Sequence, residues 1–118
     1  MIWVRVGGLL MAAGVLLGAF GAHGLKDALD AAHMEIYRTA VFYHLLNALG
    51  LVLVGTLHLQ SPTRTKLFPC GVFLSVGILM FSGSLYLLST GGGAWLGLLT
   101  PVGGICLAAG WIFLIFGI

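Results

Sequence analysis

The sequence predicts an all-α integral membrane protein, an antiparallel four-transmembrane-helix bundle with a short interfacial amphipathic helix between spans one and two. Composition is the first reason. Of 118 residues, 60% are hydrophobic and 7% charged, with three acids against five bases, and mean hydropathy is +1.15. Soluble domains carry about 25% charged residues, so a water-soluble globule is excluded. The second reason is four apolar stretches of membrane-crossing length, and the third is the shortness of what joins them.

The stretches are Ile2–Ala22, Thr39–Leu57, Leu67–Leu88 and Leu96–Ile118. Each runs to roughly 20 residues, enough at ~1.5 Å rise per residue to cross a hydrocarbon core of about 30 Å. Backbone groups in lipid must be satisfied internally, which makes these spans helices. Transmembrane strands would alternate polar and apolar residues over about 10 positions, and no such alternation is present. Ile2–Ala22 carries Arg5 near its start and small residues at its end, as a cleavable signal peptide would. Its apolar run is longer than a signal core of about 7–15 residues, so it reads as a retained helix.

Gln60–Lys66 joins spans two and three and is broken by Pro62, whereas Ser89–Trp95 joins three and four through three glycines. Only His23–Arg38 is long enough to hold structure. Leu25, Ala28, Leu29, Ala32 and Ile36 share one helical face there, and Lys26 and Asp30 form an i,i+4 pair. The expectation is a surface helix over about 25–35. Residues 1–118 form a single transmembrane domain. Arg5, Arg64 and Lys66 fall on one side and Lys26 and Arg38 on the other, which favours cytoplasmic termini by a narrow margin.

Alternating helix direction converts sequence position into depth. It brings His23, Arg38, Tyr43, His44, Asn47, Ser82, Ser84, Tyr86 and Thr100 to the first-connection side of the membrane. Polar groups inside a membrane need a partner or a cavity. The set is therefore a candidate polar pocket, or else a set of interhelical hydrogen bonds of roughly 0.6–2 kcal/mol each. Nineteen glycines punctuate the spans. Gly14, Gly18 and Ala22 form one small-residue register, Gly104 and Ala108 another, and Gly7, Gly14 and Gly21, like Gly103 and Gly110, recur every seven residues. Such faces let helices approach closely, within the bundle or between copies.

The acids Asp27, Asp30 and Glu35 all lie in the first connection, so no intramembrane carboxylate is available for proton-coupled antiport. Four histidines show no zinc spacing and there is no CxxC. Cys70 and Cys106 fall at different depths, too far apart for a disulfide. No catalytic set, metal site or cofactor is expected. Five scattered bases exclude a nucleic-acid module. The expected partners are the lipid bilayer and a second copy or larger membrane complex.

GAFGAHGL (Gly18–Leu25), TAVFYHLLNAL (Thr39–Leu49), FSGSLYLL (Phe81–Leu88) and LTPVGGICLAAGW (Leu99–Trp111) resemble the YgdD-like small inner-membrane proteins. The match runs in order over essentially the whole chain. It implies a four-helix bacterial inner-membrane protein of uncharacterised function and supplies no catalytic or binding residues. The family pattern commonly has histidine where this chain has Asn47, and glutamine where it has His44. This chain therefore has an amide, not an imidazole, at the deeper position. Three functions remain: a non-catalytic assembly or accessory subunit, a small-solute or ion pathway, and binding of a lipid, quinone or haem in the polar leaflet.

Overall fold

The computed structural model describes all 118 residues and is wholly helical: α1 (Ile2–His23), α2 (Ala31–Gln60), α3 (Leu67–Ser89) and α4 (Leu99–Gly117), with a 3-10 turn at Ala94–Leu98. All four helices are long and apolar enough to cross a membrane, the fourth together with its 3-10 turn.

Two boundaries differ from the sequence expectation, each for a local reason. No separate surface helix spans residues 25–35. Asp30 caps α2, its carboxylate accepting the backbone N–H of His33 at 2.8 Å, so the helix begins at Ala31. Gly24–Asp30 is left as turns, too short to repay helix nucleation. The fourth span, expected as one helix from Leu96, is split. Pro101 has no N–H to give the Gly97 carbonyl and its ring would clash there, so regular α-helix starts at Leu99 with Pro101 in its first turn. Pro69 occupies the matching place in α3. Gly91, at φ +102°, makes the one left-handed turn between α3 and α4.

Packing follows chain order: α1 lies on α2, α2 on α3 and α3 on α4, while α1 and α4 share no extended interface. The helix contacts thus leave one side open, and the molecule is flattened, 49 × 27 × 16 Å. α2 and α3 form the central pair. Trp3 reaches from α1 across to Gly71 on α3, and Trp111 reaches from α4 across to Gly50 on α2. The core comprises Leu51, Val54, Leu67, Cys70, Leu74 and Ile78 with Trp3 and Leu107.

Glycines set how close the helices come. Along α1, Gly7 meets Val52, Gly14 meets Leu45 and Gly21 meets Tyr37. Along α4, Gly103 meets Phe81, Gly110 meets Leu74 and Gly117 meets Leu67. In both series the partner number falls as the glycine number rises. Seven residues return a helix to nearly the same face, so each flank helix docks along a glycine seam. Gly117 extends the seam of α4 beyond Gly103 and Gly110. Among the register residues, Gly18 lies against Val41 and Gly104 touches Phe81 loosely, while Ala22 and Ala108 are exposed beside grooves.

Candidate functional site

The seam of α1 creates the most connected polar group of the molecule. With no side chain at Gly14, the imidazole of His44 slides against α1, and its Nε2 reaches the Leu10 carbonyl oxygen at 2.7 Å. That oxygen can only accept, so in the neutral ring Nε2 carries the proton. Nδ1 is then the acceptor for the Tyr86 hydroxyl of α3 at 2.8 Å. The Tyr86 ring lies edge-on to Tyr37, 5.3 Å between centroids, and the Tyr37 hydroxyl donates to the Leu17 carbonyl of α1. Three helices are joined through two tyrosines and one histidine.

Further links use the same device. Ser82 on α3 donates to the Ala40 carbonyl on α2 at 2.8 Å. Ser84 on α3 and Thr100 on α4 share a hydrogen bond of 2.6 Å. Asn47 on α2 gives its amide to the Tyr43 carbonyl at 2.8 Å, and its side-chain oxygen accepts the Trp111 indole N–H of α4 at 2.8 Å. His44, Asn47, Ser82 and Ser84 are all buried. Tyr43 is partly exposed and packs on Phe81, centroids 4.7 Å apart.

The candidate residues are neighbours at these interfaces without sharing one cavity. Tyr43 and Asn47 border a groove of about 240 Å³ against Gly104 and Trp111. Arg38 borders a different groove of about 320 Å³ between α1 and α2. His44, Ser82, Ser84, Tyr86 and Thr100 border no groove, and His23 is exposed at the end of α1. Sequence reasoning missed Trp111 as a member of the set, whereas the 3-4-3 spacing of Tyr37, Ala40, His44 and Asn47 already put Tyr37 on the inward stripe of span two. Trp111 and Tyr37 both carry a polar tip on an apolar body, the type that finds a partner when buried.

At the surface, His33 pairs with Asp30, Nδ1 to carboxylate 2.7 Å. Hydrogen bonds from the His33 backbone and then its ring hold the Asp30 carboxyl below the usual carboxylate range. No three of the histidines, cysteines and acids gather into a metal-ligand group. Cys70 and Cys106 are free. Two buried ring nitrogens, Trp3 Nε1 and His58 Nδ1, have no hydrogen-bond partner.

Residues 17–104 match the family model described as "Protein of unknown function (DUF423)". The chain is 37% identical over 114 residues to the UPF0382 membrane protein SH2409 of Staphylococcus haemolyticus, covering 97% of this chain and 92% of that one. It is 35% identical to the UPF0382 membrane protein YwdK of Bacillus subtilis over 97% of this chain and 93% of that one. The UPF0382 inner membrane protein YgdD of Escherichia coli K12 is 34% identical over 99% of this chain and 86% of that one. No solved structure matches it. With four crossing-length helices and relatives along nearly its full length, the chain is a membrane protein and belongs to the DUF423 family of UPF0382 membrane proteins.

Proposed function

We propose that the protein is a non-catalytic accessory subunit that crosses the membrane four times as an antiparallel helix bundle, both termini in the cytoplasm. The opposed order of glycine contacts along α1/α2 and α3/α4 supports the antiparallel arrangement. The bias of Arg5, Arg64 and Lys66 over Lys26 and Arg38 supports the orientation.

One observation carries the accessory reading. Each of the buried His44, Asn47, Ser82, Ser84 and Ser89 is already hydrogen-bonded within the chain, and of the buried side-chain polar atoms only Trp3 Nε1 and His58 Nδ1 have no partner. A solute path would need such groups free along a common cavity, and here all but Ser89, whose bond to the Tyr86 carbonyl stays within α3, join helices instead. What the molecule offers outward is apolar on every helix, and on the flanks α1 and α4 it includes Leu9, Leu16, Ile105, Ile112 and Ile115. A homo-oligomer or a larger membrane complex would use those flanks. In-membrane cross-linking followed by native mass spectrometry tests this. A stoichiometric protein partner or a self-complex is expected, and a monomer with neither overturns it. Flux of ions or small solutes above that of empty liposomes, lost in His44→Ala, would overturn it in favour of a pathway.

A further inference from the structure

We propose that the groove between α1 and α2 beside Arg38 binds an anionic phospholipid, its phosphate on the guanidinium and the upper part of an acyl chain in the groove. The inference goes beyond the accessory reading and is independent of it, resting only on the four crossings.

Depth comes first. α2 is 30 residues long, about 45 Å, which exceeds a hydrocarbon core of about 30 Å. From Thr39 to Gln60 it carries no Asp, Glu, Lys or Arg, about 33 Å of helix. Arg38 is the residue just before this stretch, so it stands at the height of the lipid headgroups. Its side chain is exposed. The pair Asp30–His33 is the molecule's one contact at salt-bridge distance, so Arg38 has no carboxylate partner.

The groove adds a chain-binding surface to this free cation. It encloses about 320 Å³ and is lined by Gly18, Gly21 and Ala22 on α1 and by Phe42 and Leu45 on α2, with Arg38 among its residues. From Arg38 to Leu45 it descends two helical turns, about 10 Å toward the membrane interior. Small residues on one wall and large apolar ones on the other leave a furrow at the point where an acyl chain leaves its headgroup. The planar guanidinium matches phosphate oxygens bidentately, and a basic residue at the interface favours anionic lipid by about fivefold. Zwitterionic lipids carry a cation beside the same phosphate, which cancels that advantage.

The test is native mass spectrometry of the full-length protein purified from membranes. It is incubated with equal amounts of phosphatidylglycerol and phosphatidylcholine of identical chains, and separately with inorganic phosphate. The expected result is about fivefold more phosphatidylglycerol than phosphatidylcholine adduct and no phosphate adduct. Arg38→Gln should bring the two lipids level, Arg38→Lys should keep part of the preference, and Arg64→Gln should keep all of it. Ala22→Phe, which fills the groove, should lower total lipid adduct. Equal binding by the wild type, an undiminished preference in Arg38→Gln, an equal loss in Arg64→Gln, or full occupancy in Ala22→Phe would each overturn the proposal. All variants come from the membrane fraction, so a lost adduct is not a lost insertion.

Discussion

The His44 imidazole on α2 touches α1 at a backbone carbonyl, Nε2 lying 2.7 Å from the oxygen of Leu10, and Gly14 is what lets it do so. One turn of α1 separates those two residues, and Leu10's carbonyl is also the natural i,i+4 acceptor for the Gly14 N–H. The histidine therefore shares an acceptor that is already in use. It adds an interhelical bond without breaking the helix, while Tyr86 satisfies the other ring nitrogen from α3.

His44→Leu should lower stability by about 1–2 kcal/mol, since it removes two interhelical bonds and leaves the Tyr86 hydroxyl unpaired. His44→Gln, whose amide offers both a donor and an acceptor, should recover part of the loss. Thermal unfolding in detergent, followed by helical circular dichroism, reads both. Equal stability of His44→Leu and wild type would mean the links contribute nothing.

The spans were legible because only apolar composition and length decide them, and glycines at 7, 14 and 21 announced a packing face. The start of α2 was not, because the apolar spacing of Leu25, Ala28 and Leu29 mimics a helix that the Asp30 cap pre-empts. Nor were the partners of the polar set. Ser82, His44 and Tyr37 bond to the backbone carbonyls of Ala40, Leu10 and Leu17, and a carbonyl leaves no mark in a residue string. Depth placed the polar residues near one another, but helix rotation decides whether they line a cavity or meet across an interface. Here only Tyr43, Asn47 and Arg38 of the set border open grooves.

Adding a methyl group should grade the glycines by what it strikes. At Gly103 a Cβ would lie 2.4 Å from the Phe81 backbone nitrogen, which cannot yield, so Gly103→Ala should force α3 and α4 apart and cost about 1–3 kcal/mol. At Gly14 the nearest atom, 2.6 Å away, is the end of the Leu45 side chain, which can turn aside, and the His44 ring, 3.3 Å away, need give only a few tenths of an ångström, so Gly14→Ala should strain the His44 link but cost less than Gly103→Ala. Gly8 and Gly83 face open space, and alanine there should leave stability at or above wild type. Chemical denaturation of the four variants in one detergent gives the order, and a costly Gly83→Ala would contradict this packing.

The buried Trp3 and the half-buried Trp111 should respond differently to the loss of an indole N–H. Trp111 donates to Asn47 across α4 and α2. Trp111→Phe and Asn47→Leu should therefore each destabilise, with a coupling of about 0.6–1.7 kcal/mol in a double-mutant cycle. Trp3 Nε1 is buried without a partner, so phenylalanine there removes an unsatisfied donor together with some packing. Trp3→Phe should cost clearly less than Trp111→Phe. The reverse order would show that the indole of Trp3 has an acceptor.

Acid should loosen the membrane-surface end of α2 before it touches the helical core. Hydrogen bonds from His33 favour the charged form of Asp30 and hold its pKa below the unfolded value of about 3.9. A group depressed on folding contributes its stabilisation above the unfolded value and loses it as pH falls through the folded one. Below about pH 4 the cap should fail progressively, and amide exchange at Ala31–Met34, corrected for its intrinsic pH dependence, should accelerate there while Leu51–Val54 stays protected. Asp30→Ala should exchange fast at every pH, and Asp30→Asn, which keeps an acceptor without a charge, should remove the pH dependence while retaining part of the protection. If residues 31–34 exchange identically in wild type and Asp30→Ala at neutral pH, the cap does not hold the start of α2.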